Sequence, residues 1–316
     1  MASSILSRRG FLLRSSMVGS GALLAARSSG IALPPAAGAL HIATNQYPWL
    51  VFYQRENRNF AASLDAGLGE VAKSGIQGYE PLVTSPEEID QLAPLLKKHG
   101  LEMRSLYVNS VLHKQAEVEK STESIIDIAG KAKGIGTRII VTNPNPIRWG
   151  GPENKDDAQL RIQAESLDKL GSRLKSLGLA LAYHNHDIEL RNAAREFHHM
   201  MVGTDPGNVT LCLDAHWVYR GSGNSAVALF DILKLYGRRV TELHLRQSIK
   251  NIWSESLGTG DIDYPALAKH LLSLGLRPHL VLEQAPEKET PKTMEAVEAH
   301  RKSVQYARQV FADFAL

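Results

Sequence analysis

A short apolar segment that ends in two histidines constrains the fold of this 316-residue chain more than any other feature. Residues 179–182 are Leu-Ala-Leu-Ala, and His184 and His186 follow closely. Successive side chains of a β-strand point to opposite faces, so a strand here places both histidines on one face. Three later apolar segments end in a similar way, with Asp214 and His216, with His244 and Arg246, and with Glu283. Four strands that each deliver a ligand-type side chain at the C-terminal end predict a parallel barrel with a metal-centred active site.

Strand-like and helix-like segments alternate along the chain from residue 40 onward. Ser85-Pro86-Glu87-Glu88 is a typical helix start, and further helices are predicted over 115–133 and 156–176. Residues 144–152 are too rich in proline and glycine for regular structure and predict a long loop between a strand and a helix. About eight strand–helix alternations without a linker predict a single α/β domain over 40–316, a (β/α)8 TIM barrel.

The first 39 residues differ in composition from the rest of the chain. Arg8 and Arg9 precede Phe-Leu and a segment rich in glycine, alanine and serine, which resembles a twin-arginine export signal. The apolar run over 17–26 is too short to span a bilayer, and residues 37–39 (Ala-Gly-Ala) resemble a cleavage site. We therefore expect a signal peptide over 1–39, a periplasmic or exported protein, and no stable membrane anchoring after cleavage.

Charge and cysteine content exclude two classes of protein. Residues 1–39 contain four arginines and no acidic residue, which leaves 32 basic and 33 acidic residues in the remainder. A nucleic-acid-binding domain needs a basic surface, so no nucleic-acid partner is expected. The single Cys212 excludes an intramolecular disulfide, and its apolar strand predicts a buried thiol.

Several segments, in their order along the chain, resemble the xylose-isomerase-like barrel superfamily. This superfamily includes sugar-phosphate isomerases/epimerases, inosose dehydratases and type IV apurinic endonucleases. The segments that carry the resemblance are Gly-Ile-Gln-Gly-Tyr-Glu at 75–80, Tyr-His-Asn-His-Asp-Ile-Glu at 183–189, Leu-Asp-Ala-His-Trp at 213–217, Glu-Leu-His-Leu-Arg at 242–246, Gly-Thr-Gly-Asp-Ile-Asp-Tyr at 258–264 and Leu-Glu at 282–283.

The resemblance implies one divalent metal ion held at the ends of strands five to eight. Carried over by position, its ligands are His184, Asp214, His244 and Glu283. Two carboxylates balance a dication, and imidazole favours Mn, Co, Zn or Fe over Mg, although the sequence does not identify the metal. The family more often has glutamate in place of His184. Because one ligand per strand is the family pattern, His186 is the alternative ligand on this strand.

The resemblance also implies proton abstraction next to a carbonyl of a small carbohydrate, through a metal-stabilised enediolate. The predicted catalytic residues are His186, Glu283 and Arg246. Epimerases of the family use a pair of glutamates, and His184 replaces one of them. Either His186 or Glu189 then supplies the second proton-transfer group, or the reaction is not epimerisation. The expected activity is isomerase or epimerase, and the alternative is a lyase or dehydratase acting on a keto-sugar or 3-keto-glycoside.

Further residues are predicted to line the same pocket and bind the substrate. They are Glu80, Asn109 and Asn143 at the ends of strands two, three and four, together with His216 and Trp217. Helix capping is an alternative role for the two asparagines. Trp149 and Trp253 follow strands as well, where an aromatic ring stacks on a sugar or packs a loop.

Two other classes fit the sequence less well. An apurinic-type endonuclease needs additional ligands on the early strands, which offer only Glu80. A non-catalytic sugar-binding barrel would be expected to lose the metal ligands, whereas this chain has four ligand-type residues at the matching positions. The oligomeric state is left open.

Overall fold

The computed structural model describes residues 40–315, and the predicted export segment 1–39 lies outside them. Ten β-strands lie within the described residues, and eight of them form the centre of the molecule. The strands are β1 (Ile42–Asn45), β2 (Gly78–Glu80), β3 (Ser105–Ser110), β4 (Ile139–Pro144), β5 (Ala180–His184), β6 (Val209–Asp214), β7 (Val240–Leu245), β8 (Ser248–Ile249), β9 (Ile252–Trp253) and β10 (His279–Leu282).

Eight of these strands form one sheet in the order β2-β1-β10-β7-β6-β5-β4-β3. Every neighbouring pair in this sheet is parallel. The two outer strands are joined by parallel bridges from Gly78 to Glu102 and from Leu82 to Tyr107. The backbone N–H of Tyr107 donates to the carbonyl of Pro81 at 2.9 Å across this junction. The sheet therefore closes on itself, and the predicted (β/α)8 barrel in a single domain is confirmed.

Helices connect the strands around the outside of the barrel. They are α1 (Gln46–Arg55), α2 (Leu64–Lys73), α3 (Pro86–His99), α4 (Gln115–Lys133), α5 (Asp157–Ser176), α6 (Arg191–Val202, with a left-handed turn at 192–194), α7 (Ala215–Gly221), α8 (Ala226–Tyr236), α9 (Tyr264–Ser273) and α10 (Ala296–Val310). Local signals explain several of their boundaries. Asp156 and Gln159 form a reciprocal capping box at the start of α5, and Asp214 caps α7 by accepting from the backbone N–H of Trp217.

Three connections contain elements beyond the predicted alternation of one strand with one helix. The helix α1 was not predicted, because its ten residues include Pro48 and several aromatic side chains with weak helix propensity. Tertiary packing stabilises it, since the ring of Trp49 stacks on His300 of α10 at 4.1 Å. Two helices rather than one join β6 to β7, and the antiparallel hairpin β8–β9 follows β7.

Apolar packing divides into two unequal layers. The larger layer lies between the sheet and the surrounding helices, with residues such as Leu106, Leu181 and Leu243 on the outer face of their strands. The interior of the barrel holds a small apolar cluster of Ile139, Val141, Ala182 and Cys212, with Tyr107 packed against it. The remaining interior positions near the C-terminal ends of the strands carry polar and charged side chains, which form the candidate site.

Among residues 40–315, none of the helices has both the length and the apolar character required to cross a membrane.

Candidate active site

The four predicted metal ligands meet at the C-terminal mouth of the barrel. His184, Asp214, His244 and Glu283 each offer one ligand atom, and these four atoms lie within 4.8 Å of one another. All four residues are buried. Strand register produces this convergence, because Asp214 pairs with His244 across β6 and β7, and Glu283 directly follows β10. The structure thus brings the predicted set together, while the role of each member stays a prediction.

Charged contacts hold the two carboxylates of this group. Arg246 donates from Nε to Asp214 Oδ2 at 2.8 Å, and its Nη2 lies 2.7 Å from Glu283 Oε1. The second oxygen of Glu283 is 2.6 Å from Nδ1 of His244. Although burial favours the neutral acid, Arg246 and His244 hold the pKa of Glu283 well below its usual range. Glu283 is therefore a carboxylate at neutral pH.

The surroundings of His184 fit a metal ion. Both of its ring nitrogens are buried and have no hydrogen-bond partner among residues 40–315. Its Nε2 lies 4.0 Å from Asp214 Oδ2 and 3.8 Å from Glu283 Oε2. Burial, reinforced by the neighbouring His244 and His186, lowers the pKa of His184 well below its ordinary value, so the imidazole is neutral and free to ligate. Two imidazoles and two carboxylates form a donor set that suits a divalent transition metal.

Two carboxyl groups lie beneath His244, deeper in the barrel. Nε2 of His244 is 3.1 Å from Glu80 Oε1 and 3.2 Å from Glu242 Oε1. Glu80 also accepts from Asn45 Nδ2 at 2.8 Å and from Ser105 Oγ at 2.7 Å. Both carboxylate oxygens of Glu80 therefore already have partners within the protein. Glu80 was predicted to bind substrate hydroxyls, but in the structure its carboxyl group contacts the imidazole of the predicted ligand His244, a position from which it would orient that ring.

Glu242 was not predicted as a site residue. Burial and the nearby Glu80 carboxylate raise its pKa to about 8, so one proton is retained between the two acids at neutral pH. A clear signal existed in the sequence, because Glu242 lies two residues before His244 and alternation places both on the same face of the strand.

Two asparagines fix the ends of neighbouring strands. Asn143 donates from Nδ2 to the backbone carbonyl of His184 at 2.9 Å. Asn185, which was not predicted, donates to the carbonyl of Asp214 at 3.1 Å and accepts from the backbone N–H of Asp214 at 3.2 Å. Asn143 and Asn185 therefore hold two predicted ligands in position, and Asn143 retains one buried oxygen with no partner in the described part of the chain.

His186 lies beside the ligand group on the same wall of the mouth. Its ring centroid is 4.7 Å from that of His184, as expected for two histidines on one face. The rings of Trp149 and Trp217 pack against it at 5.1 and 5.8 Å. Burial is the main cause that lowers the pKa of His186 to about 3, so its imidazole is neutral at pH 7.

Glu189 follows His186 in a buried 3-10 turn. Its Oε2 accepts from the backbone N–H of His186 at 2.7 Å. Burial, assisted by the charge of Glu196, raises the pKa of Glu189 to about 7. The carboxyl group thus changes its charge within the neutral range of pH, immediately behind the predicted proton-transfer residue.

Aromatic rings enclose the guanidinium of Arg246. Its Cζ lies 5.1 Å from the ring of Trp217 and 5.0 Å from the ring of Trp253. The two aromatic rings attract the positive charge of the guanidinium and shield it from water. Nη1 of Arg246 is buried without a partner in residues 40–315.

The other predicted substrate-binding residues differ in accessibility. His216 is buried and uses both ring nitrogens, with Nε2 2.8 Å from Ser248 Oγ and Nδ1 accepting from Trp253 at 3.2 Å. It supports the loop after β7 and offers no free nitrogen. Trp217 is half-buried at the mouth, and Asn109 is exposed near the end of β3. Cys212 is buried as predicted, 3.4 Å from Glu242.

The mouth therefore has two halves. We call the end of the barrel over β5, β6, β7 and β10 the β5–β10 half, and it carries the four predicted ligands, His186 and Arg246. We call the end over β1, β2, β3 and β4 the β1–β4 half. Both names follow the order of the strands around the barrel.

Fold and site together define a (β/α)8 barrel with a buried cluster of metal-ligand side chains at its C-terminal mouth. Residues 68–309 match the xylose isomerase-like TIM barrel family. The chain belongs to this family.

Similar proteins act on sugar-like molecules, according to their names. The inosose dehydratase of Clostridium perfringens is 25% identical over 245 residues, which cover 68% of this chain and 80% of that protein. A sugar phosphate isomerase/epimerase from Parabacteroides distasonis has a similar structure, with a TM-score of 0.67 and 17% identity over 92% of this chain and 99% of that one. A xylose isomerase-like protein from Mycobacterium smegmatis, crystallised with magnesium, has a TM-score of 0.63 and 15% identity over 89% of this chain and 99% of that one.

Proposed function

We propose that this protein is a divalent-metal-dependent enzyme that removes a proton next to the carbonyl of a keto-sugar, and that it is an isomerase or epimerase. The observation that carries the proposal is the convergence of His184, Asp214, His244 and Glu283 within 4.8 Å at the barrel mouth, next to a buried arginine. A barrel of this kind holds its active site at this end.

The chemistry of the four predicted ligands is the reason for proposing a reaction next to a carbonyl. A divalent cation held by these four side chains would polarise a carbonyl oxygen and stabilise the negative charge that develops when a neighbouring carbon loses its proton. Arg246 assists, because its free Nη1 donates to an oxygen of the substrate while Nε and Nη2 hold the carboxylates of Asp214 and Glu283.

His186 is the proposed base. It lies against His184, beside the ligand group, where an imidazole would take a proton from the substrate and return it to another carbon or face. Glu283 is a weaker candidate, because both of its oxygens are engaged by Arg246 and His244. Glu189 lies behind His186 and is the alternative proton-transfer group.

Elimination is the second candidate, and two observations favour it. His184 stands where the family more often has glutamate, which removes one of the two carboxylates that an epimerase uses on opposite faces of the sugar. The inosose dehydratases that this chain resembles are named for a dehydration. Loss of a β-hydroxyl begins with the same proton abstraction, so the present site serves either outcome.

Solvent exchange and product mass test the proposal together. The purified protein is loaded with Mn²⁺ and incubated in D₂O with a panel of ketohexoses, inososes and 3-keto-glucosides, and the products are analysed by mass spectrometry and NMR. We expect deuterium at the carbon next to the carbonyl. A product unchanged in composition apart from deuterium identifies an isomerase or epimerase, whereas loss of one water, or of the aglycone from a 3-keto-glucoside, identifies elimination. Absence of both exchange and product across the panel would contradict the proposal.

We also propose export through the twin-arginine pathway, which the Arg8-Arg9 motif supports. Replacing both arginines by lysine should retain the precursor in the cytoplasm, as measured by cell fractionation. Unchanged export of the double variant would contradict this proposal.

A further inference from the structure

Large apolar side chains are exposed along the β1–β4 half of the mouth. Tyr47 follows β1, Leu82 follows β2, and Ile147 and Trp149 follow β4; all four are exposed. Asn109, near the end of β3, adds an exposed polar group between them. Single exposed apolar residues are common, but four that follow strands of the same half of the barrel, at the end that holds the candidate active site, indicate a binding surface.

Trp149 connects this arc to the candidate active site. Its ring meets that of His186 at 5.1 Å with an interplanar angle of 81°, and His186 in turn contacts His184. Trp149 nevertheless remains 54% exposed. Only the ring of His186 separates Trp149 from the ligand group. A molecule whose carbonyl lies at the ligand group would therefore reach Trp149 with a substituent of that length.

The loop that presents Trp149 is held on both sides. Gly150 adopts the left-handed region with φ +71°, and a Cβ on Gly151 would lie 2.1 Å from Glu153 Oε2. This close approach allows Arg148 to pair with Glu153 at 2.7 Å across the turn. Arg191, after β5, donates to the carbonyl of Gly151 at 2.8 Å. These contacts fix the position of Trp149 before a ligand binds. Less conformational entropy is then lost when the loop is ordered around a ligand.

We propose that the β1–β4 half binds an apolar or aromatic group attached to the sugar, so that the substrate is a glycoside rather than a free monosaccharide. This inference rests on the proposed function, because it takes the sugar carbonyl to lie at the ligand group. Two occupants of this surface are conceivable: a small molecule that spans both halves, and a second copy of the chain that covers the β1–β4 half. The contact between Trp149 and His186 favours the small molecule, because it joins the surface to the candidate active site. Aromatic rings attract one another beyond the area that they bury, which suits an aryl group on Trp149.

Two matched probes test this subsite. Methyl and phenyl 3-keto-β-D-glucosides share the same sugar and differ only in the attached group. Their affinities for the Mn²⁺-loaded protein are measured by titration calorimetry for the wild type, Trp149→Ala and the control Leu235→Ala. Leu235 is also a large apolar residue, 65% exposed on α8 outside the mouth. We expect the wild type to prefer the phenyl glycoside, and Trp149→Ala to lose about tenfold of that preference. Leu235→Ala should keep it.

Other outcomes overturn the subsite. They are equal affinity for the two probes in the wild type, an unchanged preference in Trp149→Ala, and no binding of either probe. Light scattering of the same proteins tests whether a second copy of the chain covers this surface. A wild-type dimer that Trp149→Ala converts to a monomer would show that the β1–β4 half is a subunit interface and would reject the proposal. Turnover of both probes is followed in parallel. A Trp149-dependent phenyl preference without turnover or exchange would refute the proposed reaction and leave the subsite supported.

Discussion

The two halves of the barrel mouth use polar side chains in opposite ways. In the β5–β10 half, the charged groups of Asp214, Glu283 and Arg246 are buried and contact one another, and Nη1 of Arg246 has no partner among residues 40–315. In the β1–β4 half, the buried carboxyl group of Glu80 contacts His244, and the exposed positions include the large apolar side chains of Leu82 and Trp149. The β5–β10 half therefore holds the predicted reactive groups, whereas the β1–β4 half combines a buried carboxyl group with exposed apolar side chains.

Replacing a ligand carboxylate should have the largest effect. Asp214→Asn keeps a side chain that caps α7 but removes one of the two negative charges that balance a dication. We expect loss of most bound metal and a fall in turnover on the order of a thousandfold or more, with the fold intact. Metal content, circular dichroism and kcat/KM are the measurements, and Asp231→Asn on the exposed face of α8 is the control. A variant that retains full metal content would remove Asp214 from the ligand set.

Two of the histidines in the β5–β10 half, His184 and His186, should separate metal binding from proton transfer. His186→Ala is expected to keep its metal and lose about 10²–10⁴-fold in turnover, the usual contribution of a general base. His184→Ala should instead lose metal affinity. Metal content measured beside turnover for both variants decides the assignment. The reverse pattern, with metal lost from His186→Ala and kept in His184→Ala, would exchange the two roles.

A substitution of Glu80, in the β1–β4 half, should lower the metal affinity indirectly, through His244. Glu80→Gln removes the charge that faces Nε2 of His244 while preserving the size of the side chain. Groups that orient a ligand typically contribute about 10–100-fold in metal affinity, and we expect a loss of that size. Competition with a metal chelator measures it. Glu102→Gln, at the opposite end of the barrel, is the control, and equal affinities for the two variants would deny Glu80 an orienting role.

The smallest predicted effect concerns pH. Glu189 has a pKa raised to about 7 by burial, so it is ionised above that pH and neutral below it. The ionised form holds the backbone N–H of His186 more strongly, since hydrogen bonds to charged groups exceed neutral ones by about 1 kcal/mol. We expect kcat/KM to fall about fivefold as the pH drops from 8 to 6. Glu189→Gln should flatten this profile, and an identical slope in the variant would count against the assignment.

The β5–β10 half could be predicted from sequence because the information is local. Alternation along each strand places His184 with His186 and His244 with Arg246, and parallel strands bring their C-terminal ends to one opening. The same rule, applied fully, would have found Glu242. The barrel itself followed from the alternation of strands and helices, without detailed knowledge of any boundary.

The β1–β4 half could not be predicted to the same depth. Glu80 ends its strand as expected, but its role depends on Asn45, Ser105 and His244, which come from three other strands. The helix α1 depends likewise on the packing of Trp49 against His300 near the end of the chain. Such contacts join residues that are distant in sequence, and no local pattern encodes them.

The unequal division of apolar packing has a consequence for how this sequence tolerates mutation. Cohesion comes mainly from the layer between strands and helices, whereas the inside of the barrel is largely polar above a small cluster around Val141. Random substitutions in the outer layer should lower the yield of soluble protein, because they create cavities in the main core. Substitutions inside the barrel mouth should yield soluble but inactive protein. A screen that scores abundance and activity separately would sort the two populations by layer, and the interior could acquire a new specificity while the scaffold stays unchanged.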